Sequence, residues 1–328
     1  MSGNIPAPLS APAPIARGPP PGSLPALMGE NLSQKALQQL LAEIGDLLGV
    51  RLECGRVAVA SYVANTMNPA AANNAQMNMT HEKPLFDVLG DARADSDHIA
   101  LILNTLGGDG GLPTRIVRFV KEDLKATSFH VVVPHLAKSA GTLLGFASDG
   151  VVTGQTSQFG PIDPQLPRIT NAGQTWVSAR AVKESYEKLL GATLATLPPA
   201  AQIGVMANID WLLHQQALDA IQYTKEFIAR IKSTTHQGLK EADVVRELIE
   251  TPLAHGSDVS PTKLAGYGLP VVQLTPNDSL WIKLSEYLGR SLKCLQMEQA
   301  PPPTTGLLLF ESARITIGTN GLLQPVAK

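Results

Sequence analysis

Two almost wholly apolar runs, each followed by a turn of small residues, constrain this chain more than any other feature. They are HIALILN at 98–104 and FHVVVP at 129–134. Strands that are apolar on both faces are typical of parallel sheets covered by helices on both sides. Helical patterns follow them at 112–125 and 139–148, so strand and helix alternate. We therefore predict an α/β fold, with a parallel sheet built from right-handed βαβ units and flanked by helices.

The remaining pattern predicts one large domain with appendages. The 328 residues are 44% apolar but only 5% aromatic, which indicates a globular core of aliphatic side chains. We divide the chain into four regions: a disordered Pro-rich tail at 1–29, an amphipathic helix at 30–50, the main domain at 51–298, and a C-terminal extension with a candidate β-hairpin at 299–328.

Further elements are predicted inside the main domain. The expected strands are RVAVASYVA, GVVTG and the later VVQL, and residues 155–170 are expected to form a loop rich in Gly, Pro and Gln. Helices are expected at about 178–190, 208–232, 239–250 and 277–293.

Composition also excludes several classes of function. The formal net charge of −2 gives no support to nucleic-acid binding. Cys54 and Cys294 are far apart in sequence, so two reduced thiols are favoured over a disulfide. We expect no metal and no cofactor, because no His pair has ligand spacing and no nucleotide motif is present. No signal peptide or run of about 20 apolar residues is visible, so a cytoplasmic protein without a membrane span is expected.

The turn after the first apolar strand reads Asn104-Thr-Leu-Gly107-Gly108. Paired glycines permit positive φ and bring backbone N–H groups close to a bound group. An oxyanion hole is one interpretation, and a tight strand-to-helix turn is another. A phosphate loop is a third, but neither the dinucleotide nor the Walker pattern is present.

The turn after the second apolar strand places Ser139 at the start of a helix of small residues. A helix N-terminus has free amide donors and a positive dipole end, which favour the negative charge of a tetrahedral intermediate. Ser139 could instead be only a helix cap. Because the two turns follow neighbouring strands of one βαβ unit, we expect them to lie side by side, with a nucleophile on one and an amide donor on the other.

Four segments together resemble a known family. ILNTLGG and HLAKSAGTLLGFASD resemble the oxyanion and nucleophile segments of ClpP-type serine peptidases. FGPIDPQL and AHGSDVSPTKLAGYGLPV are similar to later segments of the SppA-like branch called serine dehydrogenase proteinases. The resemblance covers about residues 56–275 and departs from the family at Leu106, where Pro is usual. It implies a ClpP/crotonase-like fold.

The resemblance also implies site residues by position. Ser139 would be the nucleophile, and the amide of Gly107 or Gly108, together with that of Ala140, would bind the oxyanion. These are the roles that the strand-end turns had already indicated.

The general base that must take the serine proton is less constrained. SppA-like enzymes use a lysine from a later helix, for which Lys183 is preferred over Lys188. ClpP-like enzymes use a histidine, for which His255 is the candidate. His135 and Lys138 are near in sequence but are expected to point away from the serine.

We therefore predict a serine endopeptidase that acts on a peptide or protein through an acyl-enzyme. A crotonase-like acyl-CoA enzyme and a catalytically inactive scaffold of the same fold are the alternatives. The resemblance further implies a homo-oligomer.

Overall fold

The apolar runs of the sequence form the centre of a seven-stranded sheet. The computed structural model describes residues 34–66, 75–170, 173–251, 257–297, 308–312 and 316–318. Five strands are parallel, in the spatial order β1, β2, β3, β5, β9. They are β1 Ala58–Ala64, β2 His98–Asn104, β3 Ser128–Val133, β5 Gly150–Gly154 and β9 Val271–Leu274.

The other strands are short additions to this sheet. β10 (Leu308–Glu311) pairs antiparallel with β1, and β11 (Thr316–Gly318) pairs antiparallel with β10. The C-terminal hairpin predicted from the sequence therefore forms, and it extends the main sheet. β4 (Leu136–Ala137) pairs with β6 (Gln158–Phe159), and β7 (Gln165–Thr170) forms a hairpin with β8 (Gly173–Ser178).

Helices cover both faces of the sheet. They are α1 Gln34–Arg51, α2 Glu82–Asp95, α3 Gly111–Arg118, α4 Ala140–Ala147, α5 Ala179–Lys188, α6 Pro199–Ala207, α7 Trp211–Thr234, α8 Glu241–Val244, α9 Pro261–Gly266 and α10 Ser279–Met297. Helices α3, α5 and α8 each continue into a π-helical turn, at Phe119–Asp123, Leu189–Thr193 and Val245–Glu250. Among the described residues, no helix is both long enough and apolar enough to cross a membrane.

The core has two parts, one on each face of the sheet. Along β2, Ile99, Leu101 and Leu103 face one part, and Ala100 and Ile102 face the other. All five side chains are buried, as expected for a strand covered on both sides. The predicted α/β fold, with a parallel sheet flanked by helices, is confirmed.

The edge next to β1 is closed by a buried polar contact. The Tyr287 hydroxyl of α10 donates to Glu311 Oε2 at 2.5 Å and lies 2.6 Å from Ser61 Oγ. Glu311 and Ser61 are both fully buried. Burial of a carboxylate is costly unless it is hydrogen-bonded, so this contact favours one register of β10 on β1.

Two parts of the secondary structure differ from the sequence prediction. Residues 155–170, expected to be a loop, contain β6 and the first strand of the β7–β8 hairpin. These short strands contain Pro and few apolar residues, so they lack a recognisable period. Helix α6 was not predicted, and none of its residues is buried. The predicted boundaries of the four regions stay predictions, and the 1–29 tail lies outside the described residues.

Candidate active site

Ser139 occupies a strained turn between β4 and α4. Its φ of 47° and ψ of −109° lie outside the regions that non-glycine residues usually adopt, which costs about 1–3 kcal/mol. Its side chain makes no capping hydrogen bond to the helix that it precedes. The hydroxyl is therefore not used as a helix cap. A serine on a strained strand-to-helix turn is instead the arrangement of a nucleophile elbow.

The glycine turn after β2 also requires an unusual backbone. Gly107 and Gly108 have φ of 100° and 142°, values that favour glycine. A Cβ on Gly108 would lie 2.1 Å from the carbonyl oxygen of Met77. Both positions therefore need glycine for conformation and for space.

The two turns are in direct contact, as the sequence predicted. The Thr105 N–H donates to the Leu136 carbonyl at 2.9 Å, and the Lys138 N–H donates back to the Thr105 carbonyl at 3.1 Å. A Cβ on Gly107 would lie 2.7 Å from Ser139 Cβ. The backbone of the glycine turn therefore packs against the serine with no room for a side chain between them.

The amides near Ser139 differ in their hydrogen bonds. The Gly107 N–H donates to Thr105 Oγ1 at 3.0 Å. The N–H groups of Gly108 and Ala140 donate to no acceptor among the residues that the structure describes. Gly108 and Ala140 thus have amides available for a ligand, whereas the amide of Gly107 is already used.

A segment that the sequence analysis did not connect to the site supports the glycine turn. The Met77 N–H donates to the Gly107 carbonyl at 2.7 Å, and the Asp109 N–H donates to the Met77 carbonyl at 2.8 Å. Met77 is followed by Asn78 and His81, which bond to each other at 3.0 Å. The loop before Met77 has no periodic pattern, so no sequence signal indicated this pairing.

His81 anchors that supporting segment in the core. Its Nδ1 lies 3.0 Å from the hydroxyl of the fully buried Tyr62 on β1. Burial lowers the pKa of His81 from 6.5 to about 4. The ring is therefore neutral at pH 7, and protonating it would work against the packing beneath the glycine turn.

The Gly-Pro-Ile-Asp-Pro stretch lies beside the nucleophile turn and is held by α4. Thr142 Oγ1 accepts from the Gly160 N–H at 3.0 Å and donates to the Ala137 carbonyl at 2.7 Å. Asp163 is buried, and its carboxylate accepts from Gln165 Nε2 at 3.1 Å and from the Arg180 N–H at 3.4 Å. These contacts fix the path of the chain into β7 and α5.

The base candidates are placed less favourably than the serine. Lys183 lies on α5 with its side chain 36% exposed and pairs with Glu187 at 2.9 Å. Lys188 is exposed. Within the described ranges no side chain hydrogen-bonds to Ser139 Oγ. His255 lies outside the described residues, so its role stays a prediction.

Two basic residues lie near Ser139 in sequence, and the side chain of one of them, Lys138, bonds to groups other than the serine. The ammonium group of Lys138 contacts the Phe159 and Ser257 carbonyls at 2.9 and 3.3 Å and pairs with Asp258. His135 is half-buried, and burial together with the Lys138 charge lowers its pKa. No group of three metal-ligating side chains occurs among the described residues.

The central part of the chain is similar to a known protein family. Residues 87–197 match the model of a family described as ClpP-like SDH-type serine proteinases. This segment contains both strand-end turns and the Gly-Pro-Ile-Asp-Pro stretch.

Two uncharacterized proteins of Methanocaldococcus jannaschii are similar in sequence. The first is 25% identical over 177 residues, which are 53% of this chain and 51% of that protein. The second is 40% identical over 68 residues, which are 21% of this chain and 23% of that protein. The chain thus spans about half the length of the first of these relatives and about a quarter of the second.

Two solved structures of the 1510-N membrane-bound stomatin-specific protease are also similar. A serine-to-alanine mutant is 17% identical, covers 66% of this chain and 80% of its own, and has a TM-score of 0.40. A lysine-to-alanine mutant in complex with a substrate peptide is 16% identical and has a TM-score of 0.41. That alignment covers 63% of this chain and 74% of the mutant's chain.

The resemblance seen in the sequence is confirmed by the family match. The match is to ClpP-like SDH-type serine proteinases and covers residues 87–197.

Proposed function

We propose that the protein is a serine peptidase that cleaves peptide bonds through an acyl-enzyme on Ser139. The observation that carries the proposal is the contact between the strained Ser139 turn and the Gly107–Gly108 turn. A nucleophile and unused amide donors meet there at the carboxyl ends of adjacent parallel strands. The family match over residues 87–197 supports the same chemistry.

Each step of this chemistry has a group assigned to it. Ser139 Oγ attacks the scissile carbonyl carbon while a base takes its proton. The N–H groups of Gly108 and Ala140 bind the oxyanion of the tetrahedral intermediate, and the start of α4 adds a favourable dipole. The protonated base then gives its proton to the leaving amine, and water releases the acyl group in a second round.

Two residues are candidates for the base. Lys183 would have to leave its ion pair with Glu187, in which its side chain is 36% exposed. His255 lies two residues before Ser257 in the sequence. Val259, in the segment 257–259, pairs with Phe159 beside the nucleophile turn. We favour His255 on this ground.

A fluorophosphonate probe tests the nucleophile. It should label the protein at Ser139, and Ser139→Ala should abolish both labelling and peptide hydrolysis. Ser233→Ala, which changes an exposed serine at the end of α7, is the matched control and should react as the wild type does. Labelling that survives in Ser139→Ala would contradict the assignment, and protection by an acyl-CoA ester would favour the crotonase-like alternative.

We further propose that the protein works as a homo-oligomer. No Asp, Glu, Lys or Arg occurs between Lys188 and Asp210. The surface formed by α6 and the start of α7 exposes four large apolar side chains, at Ile203, Met206, Trp211 and Leu212. Such a surface is characteristic of protein contacts. Light scattering after size exclusion should give a multiple of 34.7 kDa, and a monomer at micromolar concentration would contradict the proposal.

A cytoplasmic location is proposed as well. Cys54 and Cys294 do not form a disulfide, as is usual in a reducing compartment. Cell fractionation with an antibody to the chain tests this location, and recovery outside the cytoplasmic fraction would contradict it.

A further inference from the structure

Lys138, the residue immediately before the proposed nucleophile, is held differently from every other lysine whose contacts the structure describes. Its side chain is only 8% exposed, whereas those of the other ion-paired lysines are 29% exposed or more. Burial of a lysine is costly unless its charge is fully paired. The buried Lys138 next to Ser139 must therefore make contacts that offset this cost.

The ammonium group of Lys138 uses its whole donor capacity. An ammonium has three N–H donors, and here it meets three acceptors: the Phe159 carbonyl, the Ser257 carbonyl and the Asp258 carboxylate. Ser139 Oγ is not among these acceptors. Lys138 is therefore not placed to take the proton of Ser139, although it is the nearest lysine in sequence.

These contacts join three segments that are distant in the chain. Phe159 belongs to β6, and Val259 pairs with it through two backbone hydrogen bonds of 3.0 Å. The aliphatic stem of Lys138 also fills the space over Gly160, where a Cβ would lie 2.9 Å from Lys138 Cδ. The side chain of Lys138 thus fixes β6 and residues 257–259 against the nucleophile turn.

The backbone of Lys138 is fixed as firmly as its side chain. Its N–H donates to the Thr105 carbonyl at 3.1 Å, and its own carbonyl accepts from the Gly141 N–H at 2.7 Å. Ser139 follows directly, with its unfavourable φ of 47°. A strained residue persists only when its surroundings hold it from several sides.

We propose that Lys138 is a positioning residue, whose buried ammonium holds the Ser139 turn in its strained conformation against the Gly107–Gly108 turn. It acts through Ser139 and through the 257–259 segment, and it does not touch the substrate. This inference rests on the proposed function for its effect on catalysis. Its effect on the conformation of the turn does not depend on that function.

Lys138→Met tests the inference, because methionine keeps much of the aliphatic stem and removes the ammonium. We expect the maximal rate of fluorophosphonate labelling at saturating probe to fall about 10- to 100-fold, since small displacements of a nucleophile have effects of that size. The half-saturating probe concentration should stay within about twofold. A variant that is merely less stable would not show this split.

Lys121→Met is the matched control. Lys121 pairs with Asp149, which caps the start of β3 at the opposite end of the sheet, and its side chain is 29% exposed. Its loss should lower the melting temperature with no change in labelling rate. Asp258→Asn gives a second route, because it weakens the contact but keeps Lys138, and it should give a smaller fall in rate in the same direction.

Hydrogen exchange separates the inference from the proposed function. In Lys138→Met, peptides covering 138–144 and 257–263 should exchange faster, and peptides from α1 and α10 should not. Unchanged exchange in both site peptides, or equal losses of rate in Lys138→Met and Lys121→Met, would overturn the inference. Absence of labelling in the wild type would contradict the proposed function, and the exchange result would then decide the role of Lys138.

Discussion

The strand-end turns and the helical layer formed by α5, α6 and α7 differ in how tightly their residues are held. In the turns, Thr105, Ser139 and Thr142 are buried, and the backbone conformations are unusual. In the helical layer, charged side chains pair with each other at the surface, as Lys183 does with Glu187, and α6 buries none of its residues. A reacting group needs fixed geometry, so the difference supports the proposals that the turns form the reaction centre and that the helical layer makes contacts between protein chains.

The largest effect is expected from the base, for which one candidate, Lys183, belongs to the helical layer and the other, His255, does not. His255→Ala should lower the rate of Ser139 labelling about 10²- to 10⁴-fold, the usual contribution of general base catalysis. Lys183→Met should change it less than twofold, because Lys183 is an ion-paired surface residue. Measured labelling rates for the two variants decide the question. If only Lys183→Met greatly lowered the labelling rate, the base would belong to the helical layer. The division between a reaction centre in the turns and contacts in the helical layer would then be wrong.

The next largest effect on the labelling rate is expected from a glycine of the strand-end turn, Gly108, and a glycine inside a helix, Gly90, serves as its control. Gly108→Ala should lower the labelling rate about 10²- to 10³-fold, because its φ is 142° and a Cβ would meet the Met77 carbonyl. Gly90→Ala lies inside α2 with nothing within 4 Å of the added Cβ. It should raise the free energy of unfolding by about 0.5–1 kcal/mol and leave the rate unchanged. Full activity in Gly108→Ala would contradict the assignment of the Gly108 N–H as an oxyanion donor.

A leucine in each region tests the difference in packing. Leu144 of α4 is fully buried, and Leu144→Ala should lower the free energy of unfolding by about 2–5 kcal/mol. Leu212 of α7 is 68% exposed, and Leu212→Ala should change it by less than about 0.5 kcal/mol in the monomer. Urea denaturation at low protein concentration measures both. Similar losses would mean that the Leu212 side chain is packed as tightly as that of Leu144.

The pH dependence of stability tests the burial of His81, which anchors the segment that supports the glycine turn. Its folded pKa of about 4 lies below the unfolded value of 6.5, so the unfolded chain binds more protons between these values. Stability should therefore be complete above pH 6.5 and fall by about 2 kcal/mol on going to pH 5. His81→Gln should flatten that part of the profile. An unchanged profile would show that His81 is not buried as described.

The sequence predicts some parts of the molecule better than others, and the reasons are physical. β2 and β3 are apolar on both faces, so their burial and their order in the sheet follow from local pattern, and Ser139 and Gly107–Gly108 follow from where those strands end. The support from Met77 and the contacts of Lys138 depend on pairing between distant segments, which leaves no local period. Lys138 bonds to Phe159, Ser257 and Asp258, and the reason for its burial was not visible in the sequence.

The antiparallel pairing of β10 with β1 has a consequence for synthesis of the chain. Ser61 faces Glu311, about 250 residues later, so a nascent chain carries β1 as an unpaired apolar edge until nearly all of the described protein has left the ribosome. An exposed edge of this kind invites pairing with other chains. The protein should therefore depend on chaperones during translation more than its parallel core alone would require, and truncation before residue 308 should make it prone to aggregate.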